Sequence, residues 1–258
     1  MKVATVQMPI VDGECSVNHL VLAQMLDNAP GADLYLVPEL WTSGYVVDKW
    51  EKIARIDTPL TLDWMAKQAK SRKIWLGGSV IAQHKDSALC NRFVLFDRNG
   101  ELVGYYDKIH RFLPMGEGIL EPGDHMPIFN IEGVRVAPAI CYDLRFPEMF
   151  RRLALEEVDL FLVPSEWPCP REVPLTILAG ARAIENQAYL LLSNRTGVDA
   201  AGQQFCGCSG LFGPFGVVDM LPENEIGIMS FELDMQQIKR SRENLAVFAE
   251  RRQGVDYD

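Results

Sequence analysis

Three residues whose side chains could carry out one reaction together stand directly after apolar segments of the chain. Glu39 follows LYLVP, Lys108 follows LVGYYD and Cys141 follows VRVAPAI. A thiolate is a nucleophile, a carboxylate can take the thiol's proton, and an ammonium can stabilise the negative charge of a tetrahedral intermediate. Together the three supply a nucleophile, a base and a cation for covalent catalysis.

Spacing alone does not establish this set, because each residue also has an ordinary structural role. A cysteine after a strand is more often a small, buried apolar side chain, and an isolated glutamate or lysine is more often solvated. His110, two residues after Lys108, is an alternative base that would form a Cys–His pair with Cys141. The residues alone leave these alternatives open.

Strand-like and helix-like segments alternate along the chain and must position these side chains. The predicted strands are rich in β-branched and aromatic residues; they are Val3–Met8, Asp33–Val37, Ile74–Ile81, Arg92–Asp97, Val134–Ile140, Asp159–Pro164, Tyr189–Ser193, Gly210–Val218 and Ile226–Glu232. The first predicted helix follows an N-cap at Ser16 and contains Val17, Leu20, Val21 and Met25 on one face. The other predicted helices are Leu60–Lys73, Glu148–Glu157, a stretch from about Pro174, and Met235–Glu250. The alternation favours sheets covered by helices, as two packed sheets or one doubly wound sheet.

The composition is that of an ordinary globular protein. The chain has 258 residues, of which 48% are hydrophobic and 23% charged, and its net charge is −10 from 25 basic and 35 acidic side chains. An acidic chain without a basic run is a poor partner for nucleic acid or an anionic membrane. No apolar run approaches the roughly 20 residues of a membrane span. The opening MKVATVQMPI predicts a strand and not a signal peptide, so we expect a cytoplasmic protein.

Six cysteines, at positions 15, 90, 141, 169, 206 and 208, are spaced irregularly. Without a secretion signal this pattern favours free thiols over a disulfide framework. Cys206 and Cys208 form a C-x-C pair without a matching second pair, and the four histidines form no H-E-x-x-H motif, so we predict no metal site. The C-x-C pair leaves a thiol redox protein as an alternative of a different class, beside a non-catalytic binding protein.

Three stretches resemble the signature regions of the nitrilase superfamily, the carbon–nitrogen hydrolases. They are VPELWTSGY (37–45), YYDKIHRF (105–112) and AICYDLRFPEMFR (139–151), in the family's order and with its usual separations. The segments VATVQMPIVDGECSVN, ARAIENQAYLLLSNRTG and GLFGPFGVV also resemble that family, so the resemblance covers nearly the whole chain. It implies a single carbon–nitrogen hydrolase domain over residues 1–258, folded as a four-layer α-β-β-α sandwich.

The same resemblance implies a role for each residue of the set. Glu39 corresponds to the base, Lys108 to the charge stabiliser and Cys141 to the nucleophile of a Glu–Lys–Cys triad, with no cofactor. The family also has a second glutamate some residues after the lysine. Glu117 in MGEGIL matches it best, and Glu121 is its rival.

Within the superfamily, CYDLRFPE, EWP (166–168) and ARAIENQAY most resemble bacterial omega-amidases. These hydrolyse the terminal amide of 2-oxoglutaramate or 2-oxosuccinamate to a 2-oxo acid and ammonia. Arg145 stands four residues after the nucleophile and is predicted to pair bidentately with the distal carboxylate. The alternative is a structural ion pair of Arg145 with Asp143 or Glu148.

Three further residues complete the expected site for a small amide. The backbone N–H of Tyr142 is expected to help bind the oxyanion, while Trp167 and Tyr45 either wall the pocket or serve only in packing. An amidase for deaminated glutathione and an N-carbamoyl amino acid hydrolase are alternative activities. The family is usually dimeric or larger, so we expect a homodimer or larger homo-oligomer with residues 240–258 as a C-terminal tail at its interface.

Overall fold

The strands form two six-stranded sheets and a small two-stranded sheet in a computed structural model that describes residues 1–29, 31–84 and 87–252. The strands are β1 (Lys2–Gln7), β2 (Leu34–Leu36), β3 (Trp75–Gln83), β4 (Leu89–Phe96), β5 (Leu102–Asp107), β6 (Phe129–Ile131), β7 (Val134–Pro138), β8 (Leu160–Ser165), β9 (Tyr189–Asn194), β10 (Thr196–Val198), β11 (Gln204–Cys206), β12 (Gly210–Gly213), β13 (Gly216–Met220) and β14 (Gly227–Glu232). The helices are α1 (Cys15–Asp27), the single turn α2 (Trp50–Lys52), α3 (Thr58–Arg72), α4 (Pro147–Leu155), α5 (Glu172–Glu185) and α6 (Met235–Asn244).

The two large sheets share one plan. The first has the order β14-β1-β2-β3-β4-β5 and the second the order β13-β12-β9-β8-β7-β6. Three neighbouring strands are parallel in each sheet, β1 to β3 in the first and β7 to β9 in the second. Parallel neighbours need crossover connections, which are usually helical. Helices α1 and α3 make these crossovers in the first sheet, and α4 and α5 make them in the second.

Alternating side chains of the first sheet enter two different cores, as the period of two along a strand requires. Val3 and Leu36 belong to the core that contains the second sheet. Val6 belongs to a separate core with Leu22 of α1 and Met65 of α3. The second sheet packs against α4 and α5 on its other side. The layers are therefore helix, sheet, sheet and helix, and the predicted four-layer sandwich is confirmed.

Hydrogen bonds cross directly between the two sheets. The Thr5 hydroxyl on β1 donates to the carbonyl of Leu192 on β9 at 2.6 Å, and the Ser193 hydroxyl donates back to the carbonyl of Val6 at 2.7 Å. All four residues are buried. These bonds fix how β1 and β9 lie against each other, and therefore how groups on one sheet face groups on the other.

Two predicted helix ends are wrong. Helix α1 begins at Cys15, because the amides of Val17 and Asn18 already donate to the Glu14 carbonyl, so Ser16 lies in the first turn and is not the N-cap. Helix α6 ends at Asn244 and does not continue to residue 250. The Gln187 amide donates to the carbonyls of residues 241 and 245 and so satisfies groups that a longer helix would have used.

One predicted strand divides into a hairpin, and several short strands were not predicted. The stretch Gly210–Val218 forms β12 and β13, joined by a two-residue turn between Gly213 and Gly216. Gly216 has a φ of +122°, which glycine adopts readily. Strands β5, β6, β10 and β11 were missed because they are short or carry exposed side chains. Within the described residues no helix has both the length and the apolarity to cross a membrane.

The prediction that all six cysteines are free thiols is wrong for two of them. Cys169 and Cys206 form a disulfide with Cα atoms 5.7 Å apart, so Cys206 does not pair with Cys208. The Cys169 amide donates to the Gln204 carbonyl, and this contact between distant parts of the chain brings Cys169 and Cys206 opposite each other. The single domain and the interfacial tail stay predictions, and residues 253–258 of that tail lie outside the described residues.

Candidate active site

The three residues of the predicted triad follow strands of two different sheets. Glu39 follows β2, and Lys108 directly follows β5, so both belong to the first sheet. Cys141 follows β7 of the second sheet and opens a short 3₁₀ turn. Its φ is +45°, a left-handed conformation that is uncommon for a residue with a side chain. The turn directs the sulfur away from the strand and into the space between the sheets.

A compact ionic cluster joins Glu39, Lys108 and Glu117. The Lys108 Nζ atom lies 2.8 Å from Oε1 of Glu39 and 2.8 Å from Oε1 of Glu117. All three side chains are buried. A buried ammonium needs such partners, because an unpaired charge in the interior is strongly destabilising. The cluster therefore holds the lysine in one place as a cation.

Neutral donors complete the hydrogen bonding of the two carboxylates. The Asn91 amide donates to Oε1 of Glu39 at 2.8 Å and to Oε1 of Glu117 at 3.1 Å. The Tyr45 hydroxyl lies 3.0 Å from the same two oxygens. The other oxygen of Glu39 accepts the backbone N–H of Glu166 at 2.9 Å. Glu39 is thus fixed from both sheets, since Glu166 follows β8 of the second sheet.

The charges around the cluster set the protonation of its members. Burial lowers the pKa of Lys108, but the carboxylates of Glu39 and Glu117 raise it by more, so its pKa lies above the ordinary value. Burial raises the pKa of the Cys141 thiol well above its usual range, and Glu39 raises it further while Lys108 opposes the shift. Burial and the hydrogen bond to Glu39 thus both favour the neutral thiol of Cys141.

A cavity of about 310 Å³ opens in front of Cys141. All four residues predicted to bind substrate, Tyr45, Tyr142, Arg145 and Trp167, line it together with Cys141. The Arg145 guanidinium lies 4.8 Å from the centre of the Trp167 ring, within the range of a cation–π contact. The structure therefore brings these five residues together around one cavity.

The structural ion pair considered for Arg145 is not formed within the described part of the chain. Asp143 accepts hydrogen bonds from the Tyr106 hydroxyl at 2.7 Å and from the Ile140 amide at 2.8 Å. Its other oxygen lies 2.8 Å from Nδ1 of His110. Asp143 therefore connects the turn of Cys141 to Tyr106 and His110, and Arg145 does not bind Asp143 but lines the cavity.

The two rival residues lie elsewhere. His110 contacts Asp143, and its ring stacks on Phe146 with centroids 3.5 Å apart; it does not line the cavity in front of Cys141. Glu121 is exposed and lines a different cavity beside Arg92. The structure therefore places Glu39 and Glu117, and neither rival, against Lys108.

Sequence reasoning missed three residues of the site. Asn91 lies in the interior of β4 and is buried. A polar amide inside a mostly apolar strand is a sequence signal for a functional or hydrogen-bonded position. Glu166 is buried, and its Oε2 accepts from Nη1 of Arg195 at 2.8 Å. Burial raises the pKa of Glu166 to about 8, with Arg195 opposing the shift. Arg171 also lines the cavity, but it lies in a loop whose direction the sequence does not show.

Two groups of possible metal ligands occur among the described residues, and neither includes the cavity's cysteine. One consists of His84, Cys90 and Asp107, and the other of Cys169, Glu172 and Cys206. Both oxygens of Asp107 accept from Arg92, at 2.6 and 2.8 Å, while Cys169 and Cys206 are bonded to each other. Neither group shares a residue with the described lining of the cavity.

Comparison with known proteins gives the fold and site a context. The chain is 34% identical over 218 residues to a 2-oxoglutaramate amidase of Bacillus subtilis, covering 84% of each chain. It is 33% identical over 248 residues to the omega-amidase YafV of Escherichia coli, covering 94% of this chain and 93% of the other.

Solved structures resemble the whole molecule. A carbon–nitrogen hydrolase superfamily protein of Xanthomonas campestris, with an arsenic adduct in its active site, matches with a TM-score of 0.92 and 26% identity over 99% of this chain and 98% of the other. A mutant amidase of Nesterenkonia sp. AN1, with acrylamide added to its active-site cysteine, matches with a TM-score of 0.82 and 27% identity over 95% and 98%.

The family model described as carbon-nitrogen hydrolase matches residues 2–243. This range contains both sheets and every residue of the cluster and the cavity described above. With the model match and relatives above 30% identity over most of their length, the chain belongs to the carbon–nitrogen hydrolase family.

Proposed function

We propose that the protein is a thiol amidohydrolase that cleaves the terminal amide of a small omega-amide of a dicarboxylic acid, 2-oxoglutaramate or 2-oxosuccinamate. The products are the 2-oxo acid and ammonia, and Cys141 carries the acyl group as a thioester. The observation that carries the proposal is the meeting of Cys141, the Glu39–Lys108–Glu117 cluster and an unpaired Arg145 at one cavity. The names of two relatives, 2-oxoglutaramate amidase and omega-amidase, support the same substrates.

In the first half-reaction Glu39 takes the proton of Cys141 as the sulfur attacks the amide carbon. The carbonyl electron pair moves to oxygen, where Lys108 and the backbone N–H of Tyr142 stabilise the negative charge. The carbon–nitrogen bond then breaks, the nitrogen takes the proton from Glu39, and ammonia leaves. The thiol is neutral at rest because its pKa is raised, so deprotonation is coupled to attack and does not precede it.

In the second half-reaction Glu39 takes a proton from a water molecule, and the water oxygen attacks the thioester carbon. Collapse of this intermediate releases the carboxylic acid, and the proton returns to the sulfur of Cys141. Glu117 contributes by keeping Lys108 charged and in place, since its two oxygens both lie 2.8 Å from Nζ. Each group thus returns to its starting state after one turnover.

The charge of the cavity favours an acid amide among the alternatives. Arg145 and Arg171 line it together with Cys141, and a guanidinium suits a planar carboxylate. A thiol redox function based on Cys206 and Cys208 has lost its support, because Cys206 is bonded to Cys169. Both observations leave the amidase as the best explanation of the site.

We also propose that the protein acts as a homodimer or a larger homo-oligomer. Helix α5 exposes Val173, Ile177 and Ile184 by 58%, 64% and 49%, and apolar side chains on one exposed helix suit an interface. Sedimentation velocity at micromolar concentration measures the assembly directly. A monomer at that concentration contradicts this part of the proposal without affecting the catalytic part.

The substrate is tested by comparing an acid amide with a neutral amide of similar length. Wild type should release ammonia from 2-oxosuccinamate with a higher kcat/KM than from butyramide. In Arg145→Lys the kcat/KM for the acid amide should fall by about one to two powers of ten, because a charge-assisted hydrogen bond contributes roughly 1.5–3 kcal/mol, while butyramide turnover stays similar. Arg152→Lys, which changes an exposed arginine outside the cavity, is the control.

Two results would contradict the proposal. If wild type hydrolyses only neutral amides or N-carbamoyl amino acids, the omega-amide assignment is wrong. If Arg145→Lys changes the kcat/KM of both amides by the same factor, Arg145 does not bind the carboxylate, and the assignment has to rest on similarity to the relatives.

A further inference from the structure

The cavity carries hydrogen-bond donors that have no protein partner. Neither the Arg145 nor the Arg171 guanidinium forms a hydrogen bond or ion pair within the described part of the chain, although both line the cavity. The indole N–H of Trp167 is buried and also has no partner among the described residues. A buried donor without an acceptor is costly and calls for an explanation, and this applies to the indole N–H of Trp167. The two guanidinium groups are exposed, so they are free to bind a ligand that enters the cavity and supplies acceptors.

Burial orders these groups along the cavity. Cys141 is 6% exposed and Trp167 is 4% exposed, while Arg145 and Arg171 are exposed. The nucleophile therefore lies at the floor and the two cations lie at the mouth. Because the Arg145 guanidinium lies 4.8 Å from the centre of the Trp167 ring, one cation and the indole stand next to each other and can bind neighbouring atoms of one ligand.

The described lining of the mouth has no anionic counterpart. Guanidinium and indole N–H groups donate and cannot accept hydrogen bonds. The carboxyl group that lines the cavity, Glu166, belongs to the opposite end, since its backbone N–H donates to Glu39. Its Oε2 accepts from Arg195, while its buried Oε1 has no partner among the described residues. The mouth is therefore a surface of donors with positive charge.

We propose that Arg171 and the Trp167 indole N–H are specificity-determining residues, which together with Arg145 recognise a 2-oxo carboxylate and reject the ammonium group of an amino-acid amide. The proposal rests on the omega-amidase function proposed above. The carboxylate binds the two guanidinium groups, and the 2-oxo oxygen accepts from Trp167. The cavity thus distinguishes the 2-oxo amide from asparagine or glutamine, which differ from it only at the carbon beside the carboxylate.

The chemistry of the substrate end matches this surface. A 2-oxo carboxylate has three acceptor oxygens on two adjacent carbons and no donor. Asparagine has an ammonium group in place of the 2-oxo oxygen, so its three N–H donors and its charge would face two guanidinium groups and an N–H. A site built to donate a hydrogen bond discriminates strongly against a substrate that cannot accept it.

The experiment measures kcat/KM for three amides of one chain length: 2-oxosuccinamate, succinamate, which lacks the oxo group, and L-asparagine. Wild type should prefer them in this order. Trp167→Phe keeps an aromatic ring under Arg145 and removes the N–H, so it should lower kcat/KM for 2-oxosuccinamate roughly three- to tenfold, the range of one neutral hydrogen bond, with succinamate unchanged. Arg171→Gln should lower both acid amides roughly ten- to hundredfold.

Two variants serve as matched controls. Trp41 is another buried tryptophan whose indole N–H has no partner among the described residues, and it packs in the core against Trp64 outside the cavity. Trp41→Phe should leave the ratio of 2-oxosuccinamate to succinamate unchanged. Arg152→Gln removes an exposed arginine that pairs with Glu156 and should leave all three substrates unchanged.

The outcomes separate this inference from the proposed function. If wild type hydrolyses none of the acid amides, the omega-amidase function fails and the inference fails with it. If wild type hydrolyses 2-oxosuccinamate, but Trp167→Phe leaves its ratio to succinamate unchanged, the indole does not read the oxo group. If Arg171→Gln also leaves acid amides unchanged relative to butyramide, the inference is overturned while the function stands.

Discussion

The ionic cluster and the mouth of the cavity lie close together but differ in how their polar groups are satisfied. In the cluster, Lys108 binds both Glu39 and Glu117 at 2.8 Å, and all three side chains are buried. At the mouth, Arg145 and Arg171 have no hydrogen-bond or ion-pair partner within the described chain. One region has its partners within the protein, and under the proposed function the other gains its partners when substrate binds.

This difference predicts what each region controls. A preorganised cluster stabilises the transition state without rearranging, so changes there should lower kcat. A region whose donors are paired only by the substrate contributes to binding and to discrimination between substrates. Changes there should alter kcat/KM for some substrates and not for others. Variants of Cys141 and Glu39 test the catalytic side of this division, and a variant of Glu166, whose backbone N–H binds Glu39, tests the stability of the region between the two. They follow in decreasing order of expected effect.

The largest effect is expected for Cys141→Ala. Without the sulfur no thioester forms, so ammonia release should fall to the background of the assay for every amide. In wild type, rapid quenching with substrate and mass spectrometry of the peptide that contains Cys141 should show the acyl adduct. Cys208→Ala, a buried free thiol outside the cavity, is the control and should keep wild-type turnover. Near-normal turnover of Cys141→Ala would refute covalent catalysis at this residue.

A smaller but still large effect is expected for Glu39→Gln. The amide cannot take the thiol's proton, and the raised pKa of Cys141 leaves little thiolate without a base, so kcat should fall by about three powers of ten or more. His110→Asn is the matched comparison and should cost less than about tenfold, because His110 contacts Asp143 and not the cavity. The reverse order would replace the triad with a Cys–His pair.

The smallest effect concerns Glu166, which connects the two regions through its backbone bond to Glu39 and its place in the cavity lining. Its pKa of about 8 exceeds that of a carboxyl group in the unfolded chain, about 4.3. Between these values the folded protein holds a proton that the unfolded chain has lost. Folding stability from this group is therefore fully present below about pH 4 and declines as the pH rises to 8.

Chemical denaturation from pH 5 to pH 8 measures this effect. Relative to Glu166→Gln, which does not titrate, wild type should lose stability by a factor in the unfolding constant that approaches ten per pH unit. The neighbouring charges of Arg195, Asp12 and Glu39 are common to both proteins and cancel in the comparison. A difference that is constant with pH would show that Glu166 is ionised throughout, and that the Arg195 ion pair prevails over burial.

The sequence predicted the cluster better than the mouth, and the reason is physical. Glu39 and Cys141 follow predicted strands, and Lys108 follows the segment LVGYYD, which was not predicted as a strand. Similarity to the family then suggested the roles of all three. Glu117 also entered through similarity, but its choice over Glu121 needed the geometry, since both lie in irregular backbone after β5. The local sequence does not specify which of the two carboxylates, Glu117 or Glu121, is buried against Lys108.

The fold shows the same limit. Long apolar strands were predicted to within about three residues, while β5 was missed because its first residues are exposed. The disulfide between Cys169 and Cys206 spans 37 residues and depends on a chain crossing that no local pattern encodes. Arg171 and Asn91 were missed for the same reason, because each acquires its role only through residues distant in sequence.

The proposed base, Glu39, and the proposed nucleophile, Cys141, follow strands of different sheets, so the distance between them depends on how the two sheets pack. The spacing between Glu39 and Cys141 is set by whatever fills the gap between the sheets, including the hydroxyls of Thr5 and Ser193 that link them. Thr5 and Ser193 do not line the cavity, yet their hydrogen bonds help to set the distance between Glu39 and Cys141. Evolution could therefore retune the rate of such an enzyme by exchanging interior residues that never meet the substrate.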